Sequence, residues 1–174
     1  SMGLTPLDGL MMGTRSGSID PTVLSFIAKT EEKTLDACLE VLNKESGLLG
    51  ISELSNDCRT LEEAMNAGDE RAKLALDMFC SRTAKSIASL ATTLTDFDNL
   101  VFTGGIGENS VYVRQQVCNY LNVFGLSLDK QANTNLVRKQ ANIISAQNSN
   151  RTVWVIPTNE ELMIALDTIN LIQH

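Results

Sequence analysis

Apolar residues recur along most of the chain at steps of three and four, which is the spacing of helices that bury one face. Val23, Leu24, Phe26 and Ile27, followed by Leu35, Cys38, Leu39, Val41 and Leu42, predict two short helices with a break near Lys29 to Thr34. Gly47 and Gly50 flank Leu48 and Leu49 and are expected to end the second of these. Glu53 to Arg59 reads as a surface loop, in which Ser55, Asn56 and Asp57 supply turn and cap chemistry before another helical stretch. Asp69 to Thr93 is the longest helical segment, and its wide face of alanine, leucine, isoleucine and Phe79 predicts a place at the centre of the core. Short apolar runs at Asn99 to Phe102 and Val153 to Ile156 read as buried strands, the second stopped by Pro157. Ser110 to Phe124 reads as a helix closed by Gly125, and Asn159 to Ile172 as a last helix capped by Thr158. Residues 1 to 21 read as loop, a brief strand at Leu10 to Met12, and loop; Asp129 to Asn150 is polar and gives no decided element. Strands alternating with helices predict an α/β sheet, mostly covered on both faces.

Composition narrows what such a domain does. The 174 residues suit one well-cored domain. A net charge of -7 argues against nucleic acid or an anionic membrane as partner, because either repels an acidic surface. Cys38, Cys58, Cys80 and Cys118 stand at wide, unequal spacing, and the only histidine is His174, so zinc and haem motifs are absent. Free thiols point to a reducing, cytoplasmic setting. No thiol has a neighbouring base in sequence, and His174, at a terminus, is a poor catalytic candidate. No apolar run approaches the ~20 residues that a membrane span needs.

Four stretches carry candidate chemistry. FTGGIGENS, from Phe102 to Ser110, runs from a strand end into glycines and then towards a helix start. Glycine lets a ligand approach the backbone, and a helix start offers unpaired N–H groups to an anion. A phosphorylated ligand and a plain strand-to-helix turn capped at Asn109 and Ser110 both account for it. The Lys-Ser/Thr pair of a P-loop and the glycine spacing of a dinucleotide fingerprint are missing. MGTRSGSIDP holds Arg15 between glycines, where a guanidinium can clamp a phosphoryl or carboxylate group, or lie in a surface turn. In PTNEE, Glu160 and Glu161 open a helix, either compensating its dipole or offering a carboxylate to magnesium. Asp57, Cys58 and Arg59 precede a helix as cap and solvated cation, or contact an adenine or ribose.

Taken in order, SMGLTPLDGLMMGTRSGSIDP, SGLLGIS with NDCR, FTGGIGENS and VIPTNEELMIA resemble the successive signatures of the acetate kinase family, in the acetate and sugar kinase/Hsp70/actin superfamily. The resemblance runs from Ser1 to the C-terminal helix and implies an α/β fold: a ribonuclease H-like (actin-like ATPase) domain, its incomplete sheet flanked by helices. It implies the reaction ATP plus acetate giving ADP plus acetyl phosphate, reversible, by direct in-line transfer with Mg²⁺. By the same resemblance Arg15 is the catalytic, transition-state arginine. Asp57, Cys58 and Arg59 form the adenosine-side loop, and Gly105, Ile106, Gly107, Glu108 and Asn109 the second nucleotide loop. Glu160 is the metal-linked carboxylate.

The chain departs from the family at Ser18, where an aspartate is more usual, and at Cys58, where a larger apolar residue is common. Family members are also much longer. Residues 1–174 are expected to be the C-terminal portion, without the N-terminal domain, the first strands of this sheet and the acetate-side groups. Such a piece is expected to be inactive alone and oligomeric or mobile near residues 1 to 20. The full-length form is expected to be a homodimer. The rival readings are a propionate or butyrate kinase of the same family, and a non-catalytic nucleotide-binding or interaction module.

Overall fold

The computed structural model describes residues 2–173; His174 lies outside them. The chain first forms α1 (Thr22–Thr30), α2 (Leu35–Lys44), α3 (Gly47–Ser52), α4 (Cys58–Asn66) and the long α5 (Glu70–Ala91). Then come β1 (Asn99–Phe102), α6 (Gly104–Asn109), α7 (Val111–Tyr120), a 3-10 turn (Asn122–Phe124), α8 (Lys130–Thr134), β2 (Asn142–Ile143), β3 (Thr152–Val155) and α9 (Glu160–Gln173). Side chains decide several starts: Thr34, Asp57, Asp69, Ser110 and Asp129 each accept a backbone N–H from the first turn of the helix that follows.

Helix α5 is the axis of the core, as its apolar face predicts. It packs against α3, α4 and α7, and its small residues Ala72, Ala75, Cys80 and Ala84 let those neighbours come close. The sheet has the order β1-β3-β2, with β1 parallel and β2 antiparallel to β3. Along β3 the side chains alternate: Val153 and Val155 are buried, Thr152 and Trp154 only partly. The expectation of a sheet mostly covered on both faces is corrected. Val101 and Ile143 both pair in register with Trp154, so the three form an apolar row on the open face, where Val101 is 45% and Ile143 52% exposed. The packed helices gather on the other side, and α9, found close to its predicted bounds, buries none of its described side chains.

Other boundaries shift for local reasons. The second helix ends at Lys44, and the Gly47–Leu49 stretch opens α3 instead of closing α2. The Ser110 helix ends at Tyr120, and the undecided polar stretch supplies α8 and β2. Cys58 begins α4 and faces the core, so the predicted loop over Glu53 to Arg59 is shorter than expected.

No strand forms at Leu10 to Met12, because the carbonyls there go elsewhere. Met12 O and Gly13 O accept from Leu48 N and Leu49 N, the otherwise orphan donors at the start of α3. Thr14 O takes Ser46 N, and Ser18 N closes the loop onto Gly9 O at 2.9 Å. The segment is a loop docked on α3, anchored by buried Met11. Gly47 makes this docking possible, since at φ +62° its absent Cβ would stand 2.2 Å from Met12 O and 2.7 Å from Arg15 O.

Gly47→Ala therefore couples backbone strain to a collision with the Arg15 loop and is expected to cost clearly more than ~1 kcal/mol. At Gly68, φ is +97° but a Cβ would meet nothing within 4 Å, so Gly68→Ala carries the strain alone. Urea unfolding followed by the fluorescence of Trp154, the single tryptophan, checks the order of the two.

Candidate functional site

Two of the segments singled out in the sequence meet across one cleft. The 56–59 stretch and Glu62 form one wall, and Gly105, Ile106, Asn109 and Ser110 the other, enclosing about 620 Å³. Asp57 holds the first wall in shape. Its Oδ1 accepts from Arg59 N at 2.9 Å, and its Oδ2 takes Arg59 Nη2 at 2.7 Å. The Arg59 side-chain bond, followed by the Arg59 backbone N–H, holds the Asp57 carboxyl below the usual aspartate range. The Arg59 side chain stands 81% exposed at the rim. Cys58 lines the cleft from within the core, and burial pushes its thiol up to about 11, so it is a poor nucleophile.

The opposite wall is not the open glycine loop that the sequence predicts. Gly104–Asn109 closes into the short helix α6, pinned at both ends. At its start, Glu108 Oε1 accepts from Gly104 N at 3.0 Å. At its end, Arg114 Nη1 donates to Gly107 O and Glu108 O, both at 2.9 Å. Asn109 Nδ2 adds a bond to Gly105 O at 2.8 Å. A carboxylate at the N-terminus and a guanidinium at the C-terminal carbonyls also complement the helix dipole.

Arg114 is the residue that sequence reasoning missed. Only 1% exposed, it further donates through Nε to Asn133 Oδ1 at 2.6 Å and through Nη2 to Asn133 O at 2.8 Å. Burial pulls its guanidinium below the usual arginine value. An arginine amid the apolar pattern of α7 was the one available signal. Ser110, the α7 cap, donates its hydroxyl to Glu62 across the end of the cleft, tying α4 to α7.

Glu108 also reaches beyond α6. The same Oε1 accepts from Thr158 N at 2.9 Å and Thr158 Oγ1 at 3.0 Å, and the Thr158 N–H is the main reason that its carboxyl lies below the usual glutamate range. Thr158 is thereby occupied, and Asn159 caps α9 in its place, with Oδ1 accepting from Leu162 N at 3.1 Å. This bond holds the PTNEE segment beside α6, with Glu160 exposed in the first turn of α9. Among the described residues no group of three or more histidine, cysteine or acidic side chains could hold a metal alone. Glu160 suits the kind of magnesium binding that uses one carboxylate with phosphate oxygens and waters.

Arg15 does not line this cleft. Its Nη1 lies 3.6 Å from Met12 Sδ, and its loop abuts the cleft wall where an added Cβ at Gly13 would stand 3.1 Å from Asn56 O. The glycines of α6 divide by cause. A Cβ at Gly107 would press on the Phe102 carbonyl carbon at 3.2 Å, and Gly104 has φ +71°. Gly105 has neither constraint: a Cβ there would meet nothing within 4 Å. No helix among the described residues is long and apolar enough to cross a membrane.

Arg114→Met leaves four acceptors without their donor, the two of Asn133 buried and the Gly107 and Glu108 carbonyls partly so, and is expected to cost ~3 kcal/mol or more in urea unfolding. Glu108 predicts an acid effect. Its carboxyl is lowered in the native state, so its contribution is complete above the ordinary glutamate value of about 4.3 and fades as pH falls through the lower native value. Glu108→Gln is expected to flatten that part of the thermal stability–pH profile while leaving stability near pH 7 only slightly reduced.

The sequence profile described as the acetokinase family matches residues 1–166. Acetate kinase 1 of Neisseria meningitidis serogroup A is 56% identical over 171 residues, covering 98% of this chain and 43% of that protein. Acetate kinase of Stutzerimonas stutzeri is 54% identical over 172 residues, covering 99% and 43% respectively. The chain thus spans about 43% of the length of these curated relatives. Among solved structures, acetate kinase from Porphyromonas gingivalis superposes with a TM-score of 0.90 at 43% identity, over 99% of this chain and 43% of that one. A propionate kinase from Francisella tularensis gives 0.87 at 45% identity, over 95% and 41%. The α/β, ribonuclease H-like architecture expected from the sequence is the one these neighbours share.

Proposed function

The chain belongs to the acetokinase family, and on that premise we propose that residues 1–174 form the C-terminal portion of an acetate kinase and carry the nucleotide side of its site. The observation that carries this reading is the 620 Å³ cleft with Gly105 on its wall. Neither φ nor packing within the chain calls for glycine there, whereas a ligand lying against the backbone does.

In this reading the adenosine lies between Asp57–Arg59 and Gly105–Asn109. Arg59 and Asn109 offer polar groups at the rim, and Ile106 an apolar surface. The reaction is ATP plus acetate giving ADP plus acetyl phosphate. An acetate oxygen attacks the γ-phosphorus in line, the bond to the β–γ bridging oxygen breaks, and that oxygen leaves with the electron pair on ADP. Arg15 donates to the equatorial oxygens as charge spreads over them. Glu160 would hold Mg²⁺, which would supply positive charge to offset that of the phosphate oxygens. The acetate-side groups and the remaining length come from outside this chain, and without them the two substrates are not held in line. The isolated chain is accordingly inactive or nearly so, and the complete enzyme is a cytoplasmic homodimer. Similarity to a propionate kinase at an identity close to that of the acetate kinase structure supports a second reading, in which the acyl substrate is propionate.

Calorimetric titration with ADP, with and without Mg²⁺, tests the nucleotide side. Saturable binding is expected, weakened about tenfold by Arg59→Ala or Asn109→Ala. Gly105→Ala is expected to keep or slightly raise stability, as alanine favours a helix by ~1 kcal/mol, while ADP binding falls. Absence of binding to the wild-type chain, or undiminished binding by a stable Gly105→Ala variant, would overturn the reading. Turnover regained on adding the missing portion of a relative, then lost with Arg15→Ala, would support the proposed chemistry.

A further inference from the structure

A second cavity, of about 350 Å³, lies on the flank of α5 away from the nucleotide cleft. Its walls are Gly9, Leu10 and Ser18 from the Arg15 loop and Arg82, Lys85, Ser86, Ser89 and Leu90 from the helix, the two leucines forming an apolar floor beside the polar groups. We propose that it binds a small phosphoryl anion, either inorganic phosphate or the phosphate group of a monoester.

Positions 82, 85, 86 and 89 recur at three- and four-residue steps and so share one helix face. Among the described residues neither Arg82 nor Lys85 forms an ion pair. Asp8 in the loop turns its Oδ1 to neutral donors, accepting from Ser18 Oγ at 2.5 Å and Gly9 N at 2.9 Å, and forms no ion pair with either cation. Arg82 donates once, from Nη2 to Ser18 O at 2.9 Å, which fixes the guanidinium beside the cavity with most of its donors unspent. In a chain of net charge -7, two cations one helical turn apart without an ion-pair partner make a local positive patch. A guanidinium fork, an ammonium and the Ser86 and Ser89 hydroxyls together match a tetrahedral dianion, whose several oxygens take all of them at once. A monocarboxylate has too few acceptor oxygens to use the set.

The position gives such binding a consequence. Gly9 and Ser18 are the two ends of the loop that carries Arg15, and Arg82 already ties that loop to α5. An anion bridging the same two elements tightens the loop's base. This holds whether or not the 620 Å³ cleft takes nucleotide.

Two-dimensional NMR of the ¹⁵N-labelled chain, titrated with inorganic phosphate at constant ionic strength, tests the site. Saturable amide shifts centred on Gly9, Ser18 and the 82–89 stretch are expected, with affinity lowered about tenfold in an Arg82→Gln/Lys85→Gln variant and unchanged by Gly105→Ala. Lys85→Gln alone, which breaks no hydrogen bond in the structure, must also weaken binding if the loop contact of Arg82 proves necessary for folding. Methyl phosphate in a parallel titration separates the free ion from a monoester's phosphate, and saturable binding of either supports the site. Shifts that do not saturate, that chloride reproduces, or that survive Lys85→Gln undiminished would overturn it.

Discussion

A buried guanidinium without a carboxylate partner organises the α6 wall of the cleft. Arg114 is held by neutral oxygens of α6 and of Asn133, with Glu62 contributing only a longer-range attraction. Desolvating that charge is costly, and the cost is offset only when every one of those acceptors stands in place. This requirement fixes α6 relative to α7 and α8. It lets six residues, three of them glycine, stay helical although their own propensity opposes it. The cleft inherits its shape from this arrangement.

Glu108 extends the arrangement to the next strand end. Its carboxylate caps the start of α6 and holds Thr158, so the ends of the parallel strands β1 and β3 are joined by one side chain. Segments separated by fifty residues thus come side by side, Glu160 among them. On the other side, carbonyls of the Arg15 loop satisfy the first N–H groups of α3, so that loop is set by backbone bonding and by the room Gly47 leaves.

The open sheet face and α9 show the opposite condition. Val101, Trp154 and Ile143 form a row that no helix covers among the described residues, and Leu162, Met163, Ile164, Ile169, Leu171 and Ile172 are all at least half exposed. Apolar surface of this extent is what interacting faces carry. It occurs in a chain that spans well under half the length of its relatives.

By itself the sequence determined the periodic elements. The stripe on α5, the runs at β1 and β3, and the caps at Asp57 and Ser110 follow from local spacing and local hydrogen bonds, and the ordered motifs sufficed for the family. Tertiary structure decided what local pattern could not express. Leu10 to Met12 has the look of a strand, but α3 offers the Met12 carbonyl, and that of Gly13 after it, better-placed donors. FTGGIGENS reads as a loop, but Glu108 and Arg114 supply the end contacts that make it helical. Thr158 reads as a cap until Glu108 takes it. In each case the deciding partner lies outside the segment, and the preference of a few residues is weaker than a buried, fully paired contact that only the folded chain brings within reach.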